Sequence, residues 1–438
     1  MKAKNHVSLL VLSLLLSSAM LTACGGGKAP AEGQAATGDS KKPFAGVTLR
    51  IVGANHPWTE GIKTKIPEFE KETGIKVNLE QYFEDQLTQK ITVEFTSGSS
   101  SIDAFMIRPL QEAKMFVQNG WISELTKTND TNWDYNDFTK ASTSSLIQNN
   151  KLYGIPTVTE REILYYRKDI LEKNNISVPK TLDELKQAAE KLNNPKNDFY
   201  GFVSRGQRSP AVTQFSSFLY GMGGDFMADG KATIDTPEAI KAFKYYGDML
   251  KNYGPQGVLN MSWPQASGIF SQGKVAFYSD ADSIYPNLID PKKSTVADKV
   301  GFALFPSGDK GQSPYNVTSW GLAINAKSKQ QEAAWEFIKW ATNKQNVTAL
   351  QATGIPGPRQ SVWNTEEGKK NFPAELVDVI SKSNEIGKGY DRPLLINVGP
   401  ARDIIGDVIV TAISGGDVDK AAKEANRAFQ ELINKEKK

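Results

Sequence analysis

Cysteine occurs once in the 438 residues, at Cys24, and histidine only twice, at His6 and His56. One cysteine excludes an intrachain disulfide framework. So few thiols and imidazoles leave little material for a zinc or iron centre, and neither a metal nor a cofactor is expected. The phosphate-cradling pattern GxxxxGK[ST] is absent, so any ATP-driven step must be run by a separate protein. Lys and Arg number 52 against 49 Asp and Glu, a net charge of +3. A nucleic-acid partner would call for a concentrated basic face, which this balance does not suggest. No internal repeat of about 20 to 50 residues is found, which argues against a solenoid.

The one long oily run lies near the start. Lys2 and Lys4 precede the apolar stretch 7–20, then Leu21, Thr22, Ala23 and Cys24, followed by glycines. This is the layout of a secretory signal; a spanning helix needs about 20 apolar residues with interface anchors beyond them. Leu-Thr-Ala-Cys resembles the bacterial lipobox, which implies cleavage after residue 23 and acylation of Cys24. The alternative is an ordinary signal peptide with a chance cysteine. Loss of the two lysines with the signal takes the charge from +3 to +1. The Gly/Ala/Lys-rich stretch that follows is too polar to fold and reads as a tether, so the expected segments are 1–23 signal and 24–44 lipidated tether.

The remainder is ordinary globular sequence, with 39% hydrophobic and 23% charged residues over the whole chain. About 395 residues exceed what one core usually supports, so two lobes are expected. "VTLRIVGAN" (47–55), "IKVNLEQYF" (75–83) and "IDAFMI" (102–107) read as strands. They alternate with helical stretches in which Ile62, Ile66 and Phe69 share a face and Gly74 is a stop. Such alternation predicts an α/β fold with a parallel sheet flanked by helices. Capping boxes are read at Thr181 with Glu184 and at Ser328 with Gln331, and Thr236-Pro237 reads as a further helix start.

"KLYGIPTVTEREILYYRKDILEKNNISVPKTLDELKQAAEKL" (151–192), "FSQGKVAFYSDADSIYPNL" (270–288), "VGFALFPSG" (300–308), "TSWGLAINAKSKQQEAAWEFIKWATN" (318–343) and "IPGPRQSVW" (355–363) together resemble the family 1 extracellular solute-binding proteins of ABC importers. "GFVSRGQRSP" (201–210), "NYGPQG" (252–257) and "YSDADS" (278–283) resemble members that bind sugars and polyols. The resemblance implies a two-lobed, Rossmann-like fold, each lobe a mainly parallel sheet, joined by hinge strands with the ligand between the lobes. It implies an N-terminal lobe of 45–157 plus 318–362 and a C-terminal lobe of 158–317 plus 363–438. The partners it implies are a carbohydrate, two permease subunits and a separate cytoplasmic ATPase, with the membrane reached through the lipid anchor. No nucleic-acid partner is expected, and a monomer is expected.

Ligands in open α/β sheets sit beyond the carboxyl ends of strands. On that rule the candidate binding residues are Asn55, His56, Trp58, Glu84, Asp85 and Arg108 from the first lobe, and Glu160, Arg161, Arg205, Asp280 and Asp282 from the second. Carboxylates accept from paired hydroxyls, Arg and Asn donate, and aromatic rings cover C–H faces, the chemistry a sugar requires. Trp320 matches a cleft tryptophan of the sugar-binding relatives, Trp58 is read on an exposed loop, and Arg359 is read as either a closure latch or a site residue. Arg167 and Asp169 are expected to hold a helix start. Arg108, Arg161 and a second arginine near Arg205, Arg208, leave an acidic sugar open as an alternative ligand, because guanidinium groups favour carboxylates; ion pairs of these arginines with Glu160, Glu162 or Asp225 are the competing explanation. A glycoside hydrolase using Glu160 with Glu162, or Asp280 with Asp282, and a sensor module presenting its ligand to a receptor, are the readings from other classes. No catalytic residue is expected.

Overall fold

The computed structural model describes residues 42–436, which from Phe44 onward form one compact unit. The signal stretch, Cys24 and nearly all of the expected tether lie outside the described residues. The side chain of Asp85 is likewise not described.

The N-terminal alternation forms as the sequence pattern requires. Strand β1 (Thr48–Ala54) leads into helix α1 (Pro57–Thr73), whose Ile62, Ile66 and Phe69 are buried and whose last turn closes on Gly74 at φ 75°, a left-handed cap that suits glycine. Strand β2 (Lys76–Tyr82), helix α2 (Glu84–Thr96) and strand β3 (Ala104–Ile107) follow. Both β2 and β3 pair in parallel with β1.

Strand β4 (Ile155–Arg167) is the longest and changes partners half-way along. Four further strands complete the sheet around it: β5 (Tyr200–Val203), β6 (Val275–Ala281), β7 (Val300–Leu304) and β8 (Asn316–Ile324). Ile155 to Arg161 pair with β8, whereas Glu162 to Arg167 pair with β6 and β7. The order is β2-β1-β3-β8-β4-β6-β5, with β7 on β4. Only β1/β2, β1/β3 and β5/β6 are parallel. The sheet is therefore mixed, because β4 and β8 traverse the junction in opposite directions and must pair antiparallel.

Burial follows the same division. One core gathers Ile51, Phe69, Phe105, Trp58, Trp320 and Trp335 with Ile155 and Val158 at the start of β4. Beyond the crossing, successive β4 residues point to opposite faces: Leu164 enters a core with Phe215, Phe243 and Val408, while Ile163 and Tyr165 enter another with Phe270, Phe302 and Leu376. The first core is one lobe and the other two are the layers covering the second lobe's sheet. No helix among the described residues is long and apolar enough to cross a membrane.

Helix starts divide between those the sequence places correctly and one it does not. Thr181 and Glu184 form the reciprocal box at the start of α3 (Leu182–Leu192), and Thr236 accepts from Ala239 N–H, 3.3 Å, ahead of Pro237. The expected box at Ser328 and Gln331 does not form. Ser328 Oγ donates to Asp103 Oδ1, 2.6 Å, and Gln331 is occupied with Ser123 and Ala326, so that helix begins only at Gln331 without a side-chain cap.

Candidate functional site

At the carboxyl end of β1, Asn55 is exposed and donates its backbone N–H to Tyr82 O, 2.7 Å. His56 then caps α1: its Nδ1 accepts from Trp58 N–H, 3.0 Å, which leaves the ring proton on Nε2. Burial holds this imidazole down to about 4, so it is neutral at physiological pH. Its ring lies 6.1 Å from that of Trp320, on the stretch of β8 where the register with β4 shifts. Trp58 is not on an exposed loop; it sits inside the first turn of α1, 3% accessible, and packs in the first lobe's core. Arg108 follows β3 and is held by its own lobe, donating to Glu112 Oε1 at 3.1 Å and Thr88 Oγ1 at 2.6 Å and pairing with Glu84 at 3.4 Å.

The crossing strand carries charge at its mid-point. Arg161 is buried, and Asp282 meets it twice, accepting from its backbone N–H at 2.9 Å and its Nη1 at 3.1 Å. Asn384 and Thr159 take further guanidinium hydrogens. Glu162 is fully buried, with one oxygen accepting from Ser279 Oγ at 2.6 Å, and burial pushes its carboxyl well up. Glu160 is partly accessible and accepts from Ser283 Oγ, 2.7 Å.

The second lobe supplies the densest polar cluster. Asp280, at the end of β6, is inaccessible and accepts from Arg205 Nε at 3.0 Å and Nη2 at 2.5 Å, Gln214 Nε2 at 3.0 Å, Tyr278 Oη at 2.8 Å and Ala281 N–H at 2.8 Å. Burial pulls the Arg205 guanidinium down, but Asp280 outweighs it and the net shift is upward. Gln214 stands on α4 (Arg208–Gly221) and also donates to Tyr315 Oη, 3.0 Å.

Beside this pair lie residues the sequence reading did not single out. Arg392 donates twice to buried Asp391, 2.5 Å each, and its Nη1 reaches Gln111 Oε1 of the first lobe at 3.2 Å. Arg402, on α5 (Val398–Ser414), donates to Ser209 O and Thr213 Oγ1. Asp391 and Arg392 lie in an irregular segment with no strand to place them. Arg402 did carry a signal: it interrupts the apolar stripe of Val398, Ile405 and Ile409 at helical spacing.

Two arginines named from the sequence have other roles. Arg359 is 1% accessible and donates to Thr342 O, Asp134 O, Asp137 and Trp133 O while lying 4.2 Å over the Phe138 ring. Its donors are thus spent within one lobe, and it is a clamp there rather than a latch between lobes. Arg208 pairs with Asp403 and Asp407 on the surface. Arg167 grips Asp169 through two hydrogen bonds at the start of a short helix.

A pH dependence follows from Glu160 and His56. Burial, with Asp282 and Asp280 adding to it, raises the Glu160 carboxyl from 4.5 to about 7. Between those values the unfolded chain has released a proton that the folded one keeps. This contribution to stability is therefore full below about 4.5 and is lost as pH rises through about 7. His56, lowered from 6.5 to about 4, acts oppositely: its contribution is full above 6.5 and is lost as pH falls through about 4. Glu160→Gln is expected to flatten the loss of urea stability between about pH 4.5 and 7; a decline as steep as the parent's would show that Glu160 does not cause it.

Strand-end groups of two lobes meeting across a hinge are the geometry of a clamshell receptor, and residues 55–348 match the family model described as bacterial extracellular solute-binding protein. The chain belongs to that family. An erythritol/L-threitol-binding protein of Mycolicibacterium smegmatis is 27% identical, the match covering 80% of this chain and 79% of that one. A solute-binding protein of Agrobacterium radiobacter in complex with ribitol is 29% identical with a TM-score of 0.80, covering 89% of this chain and all of the other. One from Agrobacterium vitis with bound D-mannitol is 28% identical with a TM-score of 0.76, covering 89% of this chain and 98% of that one. Maltose-bound MalE3 of T. maritima, at 24% identity and a TM-score of 0.77, shares the two-lobed fold. As a family member this solute-binding protein works outside the cytoplasm in an ABC transport context.

Proposed function

We propose that this solute-binding protein captures a polyol or sugar between its lobes and delivers it unchanged to an ABC permease driven by a separate ATPase. The observation that carries the reading is the convergence of polar groups from both lobes, with Gln111 of the first accepting from Arg392 of the second beside the Arg205–Asp280 pair. Hydroxyl ligands need fixed acceptors and donors, and charge-assisted hydrogen bonds supply about 1.5 to 3 kcal/mol each, so three or four with one covering ring account for micromolar binding. His56, Glu160 and Arg205, with Asn55 and Arg108 at the rim, are the groups offered to the ligand, the His56 ring lying beside the buried Trp320. Asp280 and Asp282 act from behind, setting Arg205 and Arg161. Ligand contacts to both lobes favour the closed form, whose outer surface the permease reads.

Binding without chemistry suits these carboxylates: Asp280 and Asp282 are each held by arginine and Glu162 is sealed in the hinge. The Leu-Thr-Ala-Cys stretch supports anchoring by acylated Cys24, on a body that acts as a monomer. Lipid label retained by a Cys24→Ala protein would refute the anchor. Calorimetric titration with alditols and mono- and oligosaccharides tests the main reading. A saturable carbohydrate ligand is expected, and failure of every compound to bind would overturn it.

A further inference from the structure

The interlobe cluster is not neutral in its pairing. Arg205 is matched by Asp280 and Arg392 by Asp391, each in a two-point grip. Arg402 has no carboxylate oxygen within ion-pair reach among the described residues; its hydrogen bonds go only to Ser209 O, at 3.1 and 2.8 Å, and Thr213 Oγ1, at 3.2 Å. The same Thr213 hydroxyl accepts from Arg392 Nη2 at 3.3 Å, so the two guanidinium groups converge on one atom. Neither Arg402 Nη1 nor Arg205 Nη1 has a protein acceptor among the described residues, and both side chains are partly accessible. Arg392 meanwhile reaches the first lobe through Gln111, so this corner is where the lobes touch.

We propose that the ligand carries a carboxylate, as an aldonic or uronic acid does, and that Arg402, beside Arg392 and Arg205, receives it. This rests on the carbohydrate reading and narrows it. A partly buried cation without a counter-ion is costly, and a ligand carboxylate supplies both the missing charge and acceptors for the unused guanidinium hydrogens. The electrostatics agree: burial first, then Arg392, Arg205 and Arg108, lower the Arg402 guanidinium well below its usual value, and Asp391 offsets only part. Glu160, whose carboxyl burial raises to about 7, opposes an anion less than an ordinary carboxylate would. Of the arginines that made an acidic ligand conceivable from sequence, Arg161 and Arg208 do not carry this, because they are paired with aspartates elsewhere.

The test titrates the protein with D-gluconate, D-glucuronate and D-galacturonate against sorbitol, glucose and galactose, at low and high salt. At least one acid is expected to bind tenfold or more tightly than its neutral counterpart, with an affinity that falls as salt rises. Arg402→Gln is expected to shrink that acid-to-neutral ratio at least tenfold, and Arg402→Lys, which keeps the charge but not the fork, to restore part of it. Neutral compounds binding as tightly as the acids would overturn the carboxylate proposal and leave the carbohydrate reading standing. Binding by neither set would overturn both. A ratio unchanged by Arg402→Gln in a protein with native circular dichroism would also overturn the assignment.

Discussion

Asp282→Ala is expected to lower the stability of the folded protein by about 3–5 kcal/mol, read as a drop in unfolding free energy in urea at constant slope. The reason is the position of its partner. Arg161 sits 2% accessible on the strand that crosses between the lobes, and the lost carboxylate leaves its guanidinium with only Asn384 and Thr159 as acceptors. Burial raises the Asp282 carboxyl even against the pull of Arg161, so the pair as a whole contributes less than its geometry suggests. Replacing both residues, as Arg161→Met with Asp282→Leu, is therefore expected to recover most of the loss or to exceed the parent. Asp282→Asn keeps an acceptor for the Arg161 backbone N–H and falls between. A loss below about 1 kcal/mol in the single alanine variant would show that water or a neighbour compensates the stranded charge.

Much of the framework was visible in the chain because it is written in local signals. Ile62, Ile66 and Phe69 recur at helical spacing ahead of a glycine, and the structure closes that helix on Gly74. Asp280, at the end of an apolar strand, was picked out by the rule that sites lie at and beyond strand ends. What escaped depends on contacts distant in sequence. Ser328 has the spacing of a cap but spends its hydroxyl on Asp103, 225 residues away. Arg359 looks like a site arginine until Trp133, Asp134 and Asp137 are seen to enclose it. Trp58 resembles a loop aromatic because the helix starts one residue before it, and only the packed lobe shows which way its ring turns. Arg392 and Arg402 come from the last quarter of the chain and reach the cleft because α5 packs against α4 and because an irregular segment folds back over it. No period or motif announces that return.

The largest effect on binding is expected from Asp280→Ala. Five donors converge on this carboxylate, and two come from Arg205, whose remaining Nη1 is offered to the cleft. Removing the carboxylate frees the guanidinium to rotate and leaves a partly buried charge unpaired, the situation in which truncating one member of a buried charge pair costs about 2–5 kcal/mol. At 1.4 kcal/mol per decade that is a loss of affinity of about 30-fold to about 4,000-fold for the tightest carbohydrate found by titration. Asp280→Asn retains acceptor oxygen without the charge and is expected to lose less. Since Asp280 acts through Arg205, Arg205→Ala should weaken binding comparably, and the double variant should be little worse than either single one, the non-additivity of groups that work as a unit. Strictly additive losses, in proteins whose near-ultraviolet circular dichroism matches the parent, would separate the two residues and refute Asp280 as the group that positions Arg205.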